Sequence, residues 1–249
     1  MDGLKTSIIL ICFSIFSISN AFSGEFSDST LSKSKLESGV TFSINSNGIA
    51  SIPAFSLDKP AIIASASLVK GRFSYDPTLA YGLDLRPWFI DNWLHYKLIK
   101  KSTFELRGGF NLSSFFTKIE LPEETILTGE RYFAFALAAT YMVSSNSSIT
   151  LDYWNDRGQE KVSLKGHFIS LTGERSNISI GNNLVLYGNI MLFYINYDGN
   201  NDGLFVSPKI SSSVRNLPFA LFFQASQAIS SNIDPFPGFR WNVGLSYTL

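Results

Sequence analysis

Phe239-Arg240-Trp241-Asn242-Val243-Gly244-Leu245-Ser246-Tyr247-Thr248-Leu249 alternates without a break: Phe239, Trp241, Val243, Leu245, Tyr247 and Leu249 share one parity, and Arg240, Asn242, Gly244, Ser246 and Thr248 the other. Successive side chains of an extended chain point to opposite faces, so the segment reads as a strand with one apolar and one polar side. Rings stand near both ends of the apolar side, Phe239 and Trp241 at one end and Tyr247 at the other. That placement suits a strand whose ends meet the two interfaces of a membrane.

The same period recurs upstream. Phe73, Tyr75, Leu79, Tyr81, Leu83 and Leu85 alternate with Ser74, Asp76, Thr78, Ala80, Gly82 and Asp84, and Phe104, Leu106, Phe110 and Leu112 alternate with Glu105, Arg107, Gly109, Asn111 and Ser113. Phe133, Phe135, Leu137, Ala139 and Tyr141 repeat the pattern, as do Phe219, Leu221, Phe223 and Ala225. Composition agrees, with 45% hydrophobic residues but 16% charged, against roughly 25% charged in an average globular domain. After the first residues no stretch offers the roughly 18 unbroken apolar positions of a spanning helix. Apolar residues that are abundant yet dispersed fit strands that show lipid one face each. The expected fold is all-β, an antiparallel transmembrane up-and-down β-barrel of about 12 strands, with 10 as the alternative. A secreted β-sandwich also alternates, but it buries its apolar face and has no need of rings at both strand ends.

The pattern predicts strands near 40–46, 60–69, 71–85, 88–99, 102–116, 130–143, 148–155, 161–172, 178–197, 203–215, 218–229 and 238–249. Connections at 100–101, 144–147 and 216–217 are tight, whereas 117–129, 198–202 and 230–237 are longer. Short periplasmic turns and long outer loops then place both strand termini on the periplasmic side. Pro77 and Pro208 fall inside predicted strands, and since proline cannot donate to a ladder each implies a bulge or a displaced boundary. The stretch 178–197 is apolar on both faces, which leaves an inward segment or a break near 181–183 open.

The N-terminus reads as an export signal over 1–21. Lys5 supplies a positive charge, an apolar stretch of about 12 residues follows, and Ser19-Asn20-Ala21 offers small residues for cleavage. Residues 22–38 read as a flexible periplasmic lead, and 39–249 as the barrel. Cys12, the sole cysteine, lies inside the export stretch behind Ile11, so neither lipid anchoring nor a mature disulfide is expected. The net charge of zero gives no footprint for nucleic acid.

The polar parity collects the candidate lumen residues: Asp76, Asp84, Asp91, His95, Lys97, Glu105, Arg107, Asp152, Lys165, His167, Lys209, Arg215 and Arg240. Acids and bases are close to balance among them. If they pair across the interior the barrel is sealed and structural or adhesion-like; if they segregate onto opposite walls, a transverse field selects polar solutes. The leading expectation is a narrow passive channel for small polar solutes in the bacterial outer membrane. Its expected partners are outer-membrane lipid and the barrel-assembly machinery, engaged through the last strand. No metal site or cofactor is expected, because two separated histidines do not supply three converging ligands.

Ile52-Pro53-Ala54-Phe55-Ser56-Leu57, Lys59-Pro60-Ala61, Lys70-Gly71-Arg72-Phe73-Ser74, Arg86-Pro87-Trp88 and Tyr153-Trp154-Asn155-Asp156 resemble uncharacterised porin-like outer-membrane barrels of the Bacteroidetes type. The resemblance spans most of the expected mature chain and implies fold and location more than activity. The last strand also resembles the C-terminal assembly signal of outer-membrane proteins, with Leu249 where that pattern ends in an aromatic ring.

Enzymes on such barrels make demands that the residues can be held against. A barrel resembling the outer-membrane phospholipases needs a serine two positions after its histidine, as same-face strand neighbours are; His95 is followed at that spacing by Lys97, and His167 by Ile169. A protease resembling the omptins needs paired acids with a His-Asp couple, to which Asp152, Asp156 and His167 are a loose match. Palmitoyl-transfer chemistry finds no recommended serine near either histidine.

Overall fold

The computed structural model describes residues 35–120, 123–161, 163–199, 201–234 and 236–249. The expected export segment 1–21 and most of the expected lead 22–38 lie outside them. Among the described residues every regular element is a strand: β1 (Leu36–Asn45), β2 (Ala61–Lys70), β3 (Phe73–Gly82), β4 (Pro87–Lys100), β5 (Phe104–Glu120), β6 (Thr125–Ser144), β7 (Ser147–Gly158), β8 (Lys165–Ile180), β9 (Leu184–Tyr197), β10 (Asn201–Val214), β11 (Phe219–Ser231) and β12 (Arg240–Thr248). Each strand pairs antiparallel with its neighbours in sequence, and β12 pairs back onto β1, with Asn45 opposite Gly244 and Thr41 opposite Thr248. Closure removes every sheet edge, which is what allows β-structure to cross a bilayer.

The parity read from the sequence decides inside from outside. On β12, Asn242 is buried at 2% exposure while Trp241, Val243 and Leu245 are exposed. Around the wall, Phe135, Ile190 and Leu221 stand 58%, 61% and 59% exposed; a sandwich would bury residues of this kind, whereas a membrane barrel turns them to lipid. The last strand has Trp241 toward the rim that carries the β11–β12 connection and Tyr247 toward the rim that carries the termini, where its ring packs 5.0 Å from Phe219.

Strand lengths are uneven. β12 has 9 residues, enough for a tilted crossing, while β6 has 20 and β5 has 17; roughly 9 to 11 suffice for the hydrocarbon region. The β5–β6 hairpin therefore continues beyond the bilayer, with Ile119 still opposite Ile126, where a long loop over 117–129 is predicted. Above the membrane a strand needs no apolar face, so a charged residue on the outward parity, such as Lys118, interrupts the alternation without interrupting the ladder. At the opposite rim the boundary between β8 and β9 lies at 181–183, not at 172–178: Gly173, Glu174 and Arg175 continue β8 past the apolar band, and Gly181 takes the turn at φ 61°. β1 begins at Leu36, within the expected lead, because Leu36 to Ser38 pair with Lys70 to Leu68.

Neither internal proline shifts the register at its own position. Pro77 pairs with Asn92 on β4 but leaves a gap toward β2 between Thr78 and Tyr75. Pro208 pairs with Ile190 on β9 but leaves a gap toward β11 between Val206 and Lys209. There the Ser207 hydroxyl donates to the Ala225 carbonyl at 2.7 Å, standing in for the N–H that proline lacks. The predicted bulges thus become one-sided ladder gaps.

Candidate functional site

The connection between β1 and β2, residues 46–60, turns into the barrel. It forms a small hairpin of its own: Ile49 bridges Ser56, the Ala50 amide donates to the Phe55 carbonyl at 3.0 Å, and the Leu57 amide to Gly48 at 2.8 Å. Gly48 is required at its root, since a Cβ there would stand 2.7 Å from the Trp88 ring. Ala54, 1% exposed, packs with Phe168, Phe193, Ile195, Tyr197 and Phe205 of β8–β10, while Ala50 packs with Ala80, Trp88 and Phe89 of β3 and β4. β3 and β9 lie on opposite sides of a 12-strand ring, so the hairpin crosses the lumen from wall to wall. This also explains why β9 is apolar on both faces. Its outer residues meet lipid, and its inner ones, Phe193 and Ile195, meet the hairpin.

A second group of side chains narrows the lumen from β4 to β10. Trp93 lies flat on His95 with centroids 5.3 Å apart and meets Trp154 at 4.9 Å; Trp154 packs on Phe168 at 4.7 Å, Phe168 on Phe193 at 5.7 Å and Phe193 on Phe205 at 5.0 Å. Trp93 and Trp154 sit on strands separated by β5 and β6. They meet because the intervening inner face is made of small residues: Gly109 and Asn111 on β5 and Ala134, Ala136 and Ala138 on β6.

Among the described residues, two cavities beside the hairpin and rings each have Ala50 and Ser51 in their lining. One, of about 320 Å³, is lined by Trp88, Trp93, Phe115, Tyr132, Trp154 and Tyr197 together with Asp91, Glu130 and Asp156. The other, of about 470 Å³, is lined mainly by hydroxyls and amides, among them Thr41, Ser43, Asn45, Ser65, Gln224 and Asn242, with Lys209 as its charge.

The predicted lumen residues divide. Asp76, Asp91, His95, Lys97, Glu105, Arg107, Asp152 and Lys209 lie on inward parity. His95 Nδ1 stands 3.0 Å from Asp76, which also accepts from Ser67 at 2.6 Å and Ser74 at 2.8 Å. Lys97 pairs with Glu105 at 2.8 Å, and Asp152 lies in the field of Arg107 and His95. Lys209 lies 5.0 Å from the centre of the Phe222 ring. Arg240 also points inward and pairs with Asp58 at the return of the hairpin. Four residues stand elsewhere. Asp84 belongs to the β3–β4 connection, where it meets Lys59 at 2.8 Å and Arg86 at 3.9 Å. Lys59 holds its carboxyl below the usual carboxylate range. Arg215 follows β10 and donates to Ser179 at 2.8 Å. Lys165 and His167 lie outside the lumen, because the buried residues of β8 are Gly166, Phe168 and Ser170. His167 shares the outer face with Ile169 and bonds Tyr153 at 2.8 Å and Asn155 at 3.2 Å. Near the rim an outward position is wet, so polarity there is no sign of a lumen.

Glu130 and the inward position of the rings escape the sequence reading; Trp88 and Trp154 enter it only within the resembling motifs, and Asp156 only there and in the protease match. A signal for them is present in Asp91-Asn92-Trp93-Leu94-His95 and Asp152-Tyr153-Trp154-Asn155-Asp156: a tryptophan set between two polar, titratable residues of its own parity belongs on the inner face.

No protein-family model matches the chain, and no curated protein matches it. Among solved structures the barrel is similar to the KdgM porin, with a TM-score of 0.55 at 11% identity over 84% of this chain and 98% of that one. The fold is that of porin-like outer-membrane barrels. The KdgM porin in complex with disordered oligogalacturonate gives a TM-score of 0.53 at 11% identity over the same 84% and 98%. The COG4313 outer membrane channel from Pseudomonas putida F1 overlaps more loosely, with a TM-score of 0.46 at 12% identity over 90% and 99% of the two chains. In this porin-like barrel the lumen is crossed by the 46–60 hairpin and divided into an acidic aromatic cavity and a hydroxyl-rich one.

Proposed function

We propose that the chain is a constricted outer-membrane channel for small polar solutes, narrowed by the hairpin 48–57. The observation that carries this reading is that Ala50 and Ser51 line both cavities, so the two spaces lie on either side of one thin partition and not behind a packed core. The resemblance of the short motifs to Bacteroidetes-type barrels supports that affiliation, and the alternating last strand supports delivery by the barrel-assembly machinery. The oligogalacturonate named with the KdgM porin is a polyanion; an acid-lined cavity here supports a different cargo.

An enzymatic reading has one supporting feature, the Asp76–His95 pair. Its hydroxyl neighbours, Ser67 and Ser74, bond the carboxylate, while the far edge of the imidazole faces Gly109. A serine nucleophile would have to stand at that edge.

Reconstitution in planar bilayers tests the channel. Wild-type barrels are expected to give small, resolved conductance steps, and replacing 49–57 by a short Gly-Ser linker is expected to enlarge them several-fold. Folded wild-type barrels without conductance, with steps arising only in the linker variant, would make this a sealed barrel instead.

A further inference from the structure

We propose that the 320 Å³ cavity is a binding site for small organic cations, alkylammonium and quaternary ammonium compounds in particular. The inference gives a ligand class to the channel reading and rests on it for access through the lumen.

Charge is the first argument. Asp91, Glu130 and Asp156 line the cavity, and among the described residues no lysine or arginine lines it; Lys209 lines the other space. Asp91 is only 4% exposed, and among the described residues its side-chain partners are the neutral Ser51, at 3.1 Å, and Asn111, at 3.4 Å. A buried carboxylate answered only by neutral donors gains from a cation entering beside it.

Shape and surface give the second argument. Trp88, Trp93, Trp154 and Tyr132 contribute rings to the same space, and the negative π-face of an aromatic ring attracts a cation, tryptophan most strongly. Ring faces favour a weakly hydrated organic ammonium over a metal ion, which would demand converging oxygen ligands. Among the described residues no three His, Cys, Asp or Glu side chains converge in that way. The volume lies at the lower end of small-molecule sites, which span roughly 300 to 1,000 Å³.

The cavity carries its own reporter, because Trp88, Trp93 and Trp154 line it and Trp241, the remaining tryptophan, faces outward. The full chain carrying Trp241→Phe, folded in detergent micelles, is titrated with choline, with its neutral isostere 3,3-dimethyl-1-butanol, and with glucose. Choline is expected to change the emission saturably, the isostere to bind at least tenfold more weakly, and Asp156→Asn to weaken choline at least tenfold. Asp91→Asn serves as a second variant, and heat-modifiable gel migration confirms that each barrel is folded. Equal binding of the isostere, stronger binding of glucose, or no saturable response to choline would overturn the proposal. Choline binding without conductance in bilayers would retain the site and remove the channel; conductance without choline binding would do the reverse.

Discussion

Asn242 donates from its side-chain amide to the Asn45 side-chain oxygen at 2.8 Å, across the seam where β12 closes onto β1, and the two residues are 2% and 3% exposed. Asn242 also accepts from the Asn47 amide at 3.2 Å and the Ser46 hydroxyl at 3.4 Å, so one side chain joins barrel closure to the root of the inward hairpin. Asn242→Ala leaves the buried Asn45 oxygen and the part-buried Asn47 amide without these partners. The expected loss is about 1–3 kcal/mol, read as a lower urea midpoint for the barrel in lipid vesicles, together with noisier conductance as the hairpin root loosens. Asn242→Asp, which keeps the acceptor but not the donor, is expected to retain the hairpin contact better than the seam.

Gly109 is expected to be intolerant of a methyl group. A Cβ at that position would stand 2.7 Å from His95 Cδ2 and 3.3 Å from the Ala136 Cβ, beneath the place where Trp93 stacks on His95. Gly109→Ala must push the imidazole away from Trp93 and Asp76, at a cost of about 1–3 kcal/mol for overpacking. Tryptophan emission should shift in the folded variant; an unchanged spectrum and unchanged stability would show that His95 has room to yield.

Acid is expected to loosen the return of the hairpin through Asp84. Lys59 and Arg86 depress its folded-state pKa; a depressed carboxyl contributes stability that is present above its unfolded value and is lost as pH falls through the folded one. Conductance noise should therefore stay flat through neutral pH and rise only below the usual carboxylate range. Asp84→Asn should show the higher noise at all pH values. Both ion-pair partners are exposed, so high salt should mute the difference.

Ser207 and Pro208 are expected to be coupled. The Ser207 hydroxyl is 2.7 Å from the Ala225 carbonyl, and Ser207 is 2% exposed. Ser207→Ala leaves that carbonyl without a donor, at about 1–3 kcal/mol. With Pro208→Ala already present, a backbone N–H becomes available on the β11 side, and the same substitution should cost less. A double-mutant cycle measures the difference directly; additive effects would mean that the hydroxyl does not replace the ladder bond.

Alternation locates the strands around 73–85, 104–113, 133–141, 219–225 and 239–249, and with weaker stretches it brings the count to about 12, because lipid imposes its demand locally. A residue such as Leu221 or Ile190 must be apolar wherever it faces hydrocarbon, whatever its partners. The same reasoning loses its hold where the wall leaves the membrane. Glu174 and Arg175 belong to β8, and Lys118 to β5, yet each lies in a stretch read as a connection, since water makes no demand for alternation. His167 and Lys165 mislead for the same reason, as polar residues on the wet end of an outer face.

The contents of the lumen were settled by the tertiary structure. The stretch 46–60 offers no period and its composition suits a loop; only the closed ring shows that Ala54 reaches β9 and Ala50 reaches β3 and β4. Trp93 and Trp154 lie far apart in sequence and on strands that do not touch, and their meeting depends on the alanines and glycine between them. The last strand thus carries in its own alternation the outside of the barrel and the direction of Asn242. That Asn242 should hold the root of a partition across the lumen depends on residues nearly the whole chain away, which local periodicity does not encode.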